Sequence, residues 1–215
     1  MAKRAERRRR KNRPLRRRVA VRKPKRTFLV FCEGKRTEPD YLMALREEPA
    51  VREAASVEIQ IDLDASGAVP STLVDAAAEA RARNSEEQGE IDEVWCLFDV
   101  EWPRNHPRLP EAKAKAQRSD VRLAISNPCF ELWLALHFEN RTARLDSAAA
   151  DTLRRNHDGS PDKGLDGTQY MPRRAAAVRC ARALTKKHER DGTEFPNDNP
   201  SSGMYLFLEA VESSW

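Results

Sequence analysis

No apolar run in this 215-residue sequence approaches the length of a membrane span. The longest, Phe28 to Cys32 and Val94 to Phe98, suit buried strands and fall far short of the roughly 20 residues that cross a bilayer. The charged N-terminus has no apolar segment behind it, so it does not read as a secretory signal. Cysteine is scarce as well. Cys32, Cys96, Cys129 and Cys180 are widely spaced, without the CxxC or Cys/His spacing of a zinc site and without the density of a disulfide framework. Buried, reduced thiols in a cytoplasmic protein are the expected reading. A P-loop is also absent, so any dependence on ATP would have to come from another chain. The length suits one domain plus appendages, enough to bury a sheet with helices on both faces.

What the sequence has in plenty is charge, and it is unevenly placed. The net charge is +5, with 39 Lys and Arg against 34 Asp and Glu. Residues 1–26 hold 15 of those bases and one acid, Glu6, for a net of +14; the other 189 residues keep 24 bases and 33 acids, a net of −9. The first 26 residues lack aromatics and are expected to be a disordered basic tail. Arg7, Arg8, Arg9, Arg10 and Lys11, with the cluster Arg16, Arg17 and Arg18, suit the neutralisation of nucleic-acid phosphates. A solubility tail without a specific partner is the alternative. The body that follows is acidic and is not itself an evident nucleic-acid platform.

From Thr27 the pattern turns to alternating strands and helices. Thr27 to Cys32 is a continuous apolar strand of the kind buried on both faces of a parallel sheet. A helix follows from Thr37, with Thr37 and Asp40 as a capping box and Pro39 in the first turn. Val57 to Leu63 alternates apolar and polar residues, as an edge strand does. Pro70 to Arg83 reads as an Ala-rich helix, Glu93 to Phe98 as a strand, Pro110 to Arg118 as a short helix and Val121 to Ser126 as a further strand. Cys129 to Phe138 reads as an apolar helix, with Asn127 as its cap and Pro128 in its first turn. Residues 27–140 thus spell an α/β core with a mostly parallel sheet flanked by helices on both faces. Residues 141–215 read as a helical C-terminal region packing on that core, with helices near Ser147 to Arg155, Pro172 to Arg190 and up to Ser213.

In open parallel sheets ligands collect at the carboxyl ends of the strands. Three strands here end in polar residues on one rim: the first delivers Glu33 and Gly34, the third Asp99 and Glu101, the fourth Ser126 and Asn127. Carboxylates at i and i+2, such as Asp99 and Glu101, can project to one side of an extended backbone. A set of hard oxygen donors without His or Cys suits magnesium over zinc. Acids after strands also cap helices or simply face solvent, and that reading stays open. Glu38 and Glu131 each fall in a first helical turn, where they either join the site or only favour the helix. Lys35, Arg36 and Lys163 are candidate phosphate contacts, with surface solvation an equal account of the first two. His137 fits beside Phe130 and Trp133 as a core histidine.

Glu33-Gly34 directly after a buried first strand resembles the opening motif of the Toprim domain, and Asp99-Val100-Glu101 resembles its later Asp-x-Asp. More narrowly, Phe31-Cys32-Glu33-Gly34-Lys35-Arg36-Thr37-Glu38-Pro39-Asp40-Tyr41 resembles the N-terminal signature of the RloB-like family. The run from Ser126-Asn127-Pro128-Cys129-Phe130-Glu131 through Leu132-Trp133-Leu134-Ala135-Leu136-His137-Phe138 is similar to that family's central block, and Asn199-Pro200-Ser201-Ser202-Gly203 to its closing motif. The resemblance spans about residues 27–213. It implies a Toprim-like fold, occurrence in phage-defence and restriction loci, and Mg2+-dependent nuclease activity on DNA or RNA, with Mn2+ as a substitute metal. By the same resemblance Glu33 is general acid/base or metal ligand, and Asp99 and Glu101 are metal ligands. Position 101 departs from the pattern, being Glu where Toprim domains carry Asp. Two other expectations stand beside the nuclease: a nucleic-acid-binding accessory subunit whose site is weakened, and an effector activated by an ATPase partner encoded nearby.

Overall fold

The computed structural model describes residues 26–53, 57–86 and 91–213; the basic tail expected over 1–26 lies almost wholly outside them. Four parallel strands form the sheet: β1 (Arg26–Cys32), β2 (Val57–Asp62), β3 (Glu93–Asp99) and β4 (Val121–Asn127). A two-residue strand, β5 (Ser201–Ser202), adds antiparallel to β4, giving the order β2-β1-β3-β4-β5. The region expected to be only helical therefore also closes one edge of the sheet.

The strand sequences are apolar throughout because both faces of the sheet are covered. Successive side chains point to opposite faces, and two cores follow that alternation. Phe28, Val30 and Cys32 of β1 join Trp95 and Leu97 of β3 in one core. That core holds α1 (Thr37–Glu47), α5 (Phe130–Ala135), α6 (Ser147–Asp158), α7 (Gly167–Tyr170), α8 (Arg174–Asp191) and α9 (Met204–Glu212). Phe31 with Val94, Cys96 and Phe98 forms the other, against α3 (Pro70–Glu86) and α4 (Leu109–Arg118). A short helix, α2 (Pro49–Glu53), links α1 towards β2. Phe207 of α9 meets Trp95 and Phe28 edge-on, at 5.3 and 6.1 Å between ring centres. The helices after residue 141 thus complete the core of the first 140.

Strand order fixes where the crevice opens. The chain leaves β1 towards β2 on one side, then crosses back over β1 to β3 and continues to β4. Right-handed crossovers put α1 and the pair α3 and α4 on opposite faces when that direction reverses. The reversal falls between β1 and β3, and the loops after these two strands must part there.

Two expected caps are replaced. Arg36 occupies the N-cap position of α1 without a side-chain cap, and the Thr37 hydroxyl instead donates to the carbonyl of Lys163, 3.3 Å away. Asn127 is still in β4, and Cys129 precedes α5. Asn127 turns from the helix because its amide donates to the carbonyl of Pro196 and to Asp198, while its oxygen accepts from Asn199. The apolar block after it is helical only to Ala135 and then tightens into three-residue turns through Phe138. Cys32, Cys96 and Cys129 are buried free thiols, and Cys180 is a half-buried one. Among the described residues no helix is long and apolar enough to cross a membrane.

Candidate acidic site at the strand switch

Glu33 leaves β1 and Asp99 ends β3 on either side of the switch, and the two are bonded directly. The Asp99 amide donates to Glu33 Oε2 at 3.0 Å, while the Glu33 amide donates to the Leu97 carbonyl at 2.9 Å, extending the β1–β3 pairing by one residue. A cavity of about 400 Å³ opens over them. Its walls bring together the expected Glu33, Gly34, Lys35, Glu38, Asp99, Glu101, Glu131 and Lys163, together with Arg36. Asn127, expected in a supporting or substrate-binding role, is absent from that wall; it is fully buried and tied to residues 196–199.

The floor of the cavity is crowded with carboxylates. Glu38 and Glu131 are 5% and 8% exposed, and the Asp99 carboxylate accepts a hydrogen bond from the Phe130 amide at the start of α5. Glu38 Oε1 accepts from the Gly34 amide at 3.0 Å. Position 34 must be glycine for this approach, since a Cβ there would overlap the Glu38 carboxylate. Burial and mutual repulsion raise the acids together. Burial pushes Glu38 up to about 7, opposed by the backbone amides of Glu38 and Gly34 and reinforced by the charges of Glu131 and Glu33. Glu33 also rises to about 7, through burial first and the Glu101 charge, against the Asp99 amide. Asp99 is held well above the usual carboxylate range by burial and by Glu38, Glu131 and Glu33. Among the described residues no lysine or arginine forms an ion pair with these four acids.

Glu101 stands apart from this floor. It lines the cavity but is exposed, with its backbone in the left-handed region at φ 62°. Its amide donates to the Pro128 carbonyl at 2.8 Å, and the Ser147 hydroxyl approaches its Oε2 at 3.4 Å. A non-glycine residue held there costs about 1–2 kcal/mol, which the surrounding bonds offset.

Two further residues belong to the site, one without a sequence signal and one with a weak one. His106, from the loop after β3, brings Nε2 to 2.7 Å from Glu33 Oε1, without the alignment of a hydrogen bond. Arg154, only 1% exposed, pairs with Asp158 at 2.7 Å and donates to the carbonyls of Asp162 and Gly164. It thereby pins the loop that carries Lys163. The i,i+4 spacing of Arg154 and Asp158 was visible, but a pair of this kind usually lies on the surface. His137 behaves as expected of a core residue. It is 2% exposed, bonded to Tyr41 at 3.1 Å and to the Trp133 carbonyl at 2.9 Å, and burial lowers it to about 4.

The donor set is chemically suited to a hard divalent ion, since it offers several carboxylate oxygens that no lysine or arginine among the described residues pairs with. As the side chains stand, no group of three His, Cys, Asp or Glu among the described residues is gathered around one point that would hold an ion. A family model described as RloB-like protein matches residues 28–211. No curated protein matches the chain, and no solved structure does.

Proposed function

The chain belongs to the RloB-like family, and from that premise we propose that its acidic crevice binds Mg2+, or Mn2+ in its place, and hydrolyses phosphodiester bonds of DNA or RNA in prokaryotic phage defence. The observation that carries the reading is the packing of Glu33, Glu38, Asp99 and Glu131 at the switch point without a compensating lysine or arginine among the described residues. Burying four acids together raises the free energy of the empty site, and a divalent cation relieves it.

Asp99, with Glu38 and Glu131 across the floor, would hold the ion, and Glu101 would add a ligand from the rim. When bound, such an ion stabilises charge on a phosphate and acidifies a coordinated water. The chain's own groups do the rest. Glu33, raised to about 7 and fixed by the Asp99 amide, is suited to accept and return a proton near neutral pH. His106 closes one side of that carboxylate and limits its rotation. Lys35 and Lys163 stand at the mouth, where they meet phosphate oxygens.

The test is cleavage of end-labelled DNA and RNA by the full chain with Mg2+ or Mn2+. Asp99→Asn is expected to abolish cleavage while the circular dichroism spectrum is unchanged. Absence of cleavage by the wild-type chain, with any ATPase partner that its genomic neighbourhood encodes also present, counts against the reading. The exposed, Ser147-bonded position of Glu101 favours a second reading, a nucleic-acid-binding accessory subunit. It requires binding that is lost on removing residues 1–26 and unchanged in Asp99→Asn.

A further inference from the structure

The loop between β3 and α4 has an unusual backbone for an exposed segment. Glu101, Asn105 and Arg108, none of them glycine, hold φ values of 62°, 50° and 62°. The bonds that hold them run from Val100 to Ser126, from Asn105 to Glu101, from His106 to Val100 and from Ala112 to Arg108, at 2.9–3.0 Å. Three left-handed residues in one loop persist only where the surroundings over-determine them. The loop follows Asp99 directly, and its Glu101 lines the acidic crevice.

What this loop presents is positive charge. Arg104 and Arg108 are exposed and form no ion pair among the described residues. Arg144, also exposed, lies over the Trp102 ring with its guanidinium carbon 4.3 Å from the ring centre. The Ser147 amide, bonded to the Trp102 carbonyl, ties the segment carrying Arg144 to the loop. In the crevice wall, Lys35 comes two residues after Glu33, and Lys163 stands beside the start of α1, its carbonyl accepting from the Thr37 hydroxyl; both lysines are exposed and without an acidic partner among the described residues. Arg36 differs, being paired with Asp162 at 3.1 Å. The body as a whole is acidic, so the unpaired cations in the crevice wall and in the loop whose Glu101 lines it and whose His106 meets Glu33 are a local arrangement and not a consequence of composition.

Resting on the phosphodiesterase reading above, we propose that single-stranded nucleic acid crosses the crevice, its phosphates held by Arg104 and Arg108 of the loop and by Lys35 and Lys163 of the crevice wall, with an unpaired base stacked on Arg144. A guanidinium backed by an indole is a flat cationic plane whose outer face is open to a base. Phosphates at both sets of cations are anchored, so the one between them is delivered to the carboxylate floor. A base inside a duplex has no free face to offer this plane, which is why the geometry selects a single strand.

The experiment measures binding of fluorescein-labelled single-stranded DNA, single-stranded RNA and duplex DNA to the full chain, in EDTA, over a range of salt. Binding of either single strand satisfies the proposal. Each lost phosphate contact lowers the slope of log K against log salt by about 0.7 for a single strand. Arg104→Ala/Arg108→Ala is therefore expected to lower it by about 1.4, with at least tenfold weaker binding at moderate salt. Arg144→Lys keeps the charge but loses the plane. It is expected to keep the slope while the preference for single strand over duplex falls. The basic tail is present throughout and cancels from these differences. An unchanged slope in the double variant, or an unchanged preference in Arg144→Lys, overturns the proposal. Because EDTA removes any need for turnover, a failed cleavage assay leaves this result standing, and normal cleavage by the double variant overturns the track without touching the site.

Discussion

Replacing Glu38 by Gln should stabilise the metal-free protein at alkaline pH, although the residue is buried and hydrogen-bonded. In an unfolded chain a glutamate titrates near 4.5, whereas in the fold Glu38 is raised to about 7. The folded state therefore binds more protons between those values, and stability associated with the protonated acid is fully present below about 4.5 and lost as pH rises through about 7. At pH 8 the whole penalty is in place, and the gap corresponds to roughly 3 kcal/mol. Gln removes the charge and still offers an oxygen to the Gly34 amide, but that bond changes from charge-assisted to neutral, a loss of about 1 kcal/mol. A net gain of about 2 kcal/mol remains, or roughly 4–8 °C in Tm for a chain of this length. Calorimetry or thermal circular dichroism in EDTA at pH 8 and pH 5 measures it. The gain should disappear by about pH 5, and Mg2+ should raise the Tm of the wild-type chain at pH 8 by more than it raises that of Glu38→Gln. A lower Tm for Glu38→Gln at pH 8 would refute the electrostatic reasoning.

Other consequences follow from the same geometry. Arg154→Met leaves Asp158 charged and buried without its partner, so the midpoint of urea unfolding should fall by the equivalent of about 3–5 kcal/mol, with wild-type-like stability as the contrary result. His137 titrates near 4 in the fold against an ordinary 6.5, so its contribution is intact above 6.5 and is lost as pH falls towards 4; NMR of the ring should show it neutral at pH 5.5, and a charged imidazolium there would contradict the packing. Gly34→Ala should drive the Glu38 carboxylate from its seat and weaken Mn2+ binding at least tenfold, while a Phe31→Leu control leaves binding unchanged. Trp95→Ala empties the contact with Phe207 and should cost about 3–5 kcal/mol by chemical denaturation.

Much of the fold was legible because both faces of this sheet are covered. β1 ends at the residue expected, β3 and β4 each run one residue further, and the alternation of β2 marked the edge it occupies. Strand order was not legible, since periodicity says which face a residue takes and nothing about which strand lies beside which. The switch point between β1 and β3, which seats Glu33 against Asp99, is thus a product of topology. β5 escaped because two residues have no period, and its place depends on Gly203 lying against the backbone of Ala124 and Ile125 of β4. The apolar run after Asn127 promised a longer helix, but a buried turn and a buried helix have the same composition. His106 lay hidden in a proline-rich loop whose path is set by bonds to Val100 and Glu101, not by any local pattern.

Anomalous diffraction from a crystal of the full chain soaked in Mn2+ tests most directly whether the crevice between β1 and β3 takes a divalent cation. A single strong peak within bonding distance of Asp99 and of at least one of Glu33, Glu38 or Glu131, absent in Asp99→Asn, is the predicted result. An empty crevice at saturating Mn2+, or a peak that persists in Asp99→Asn, would contradict it.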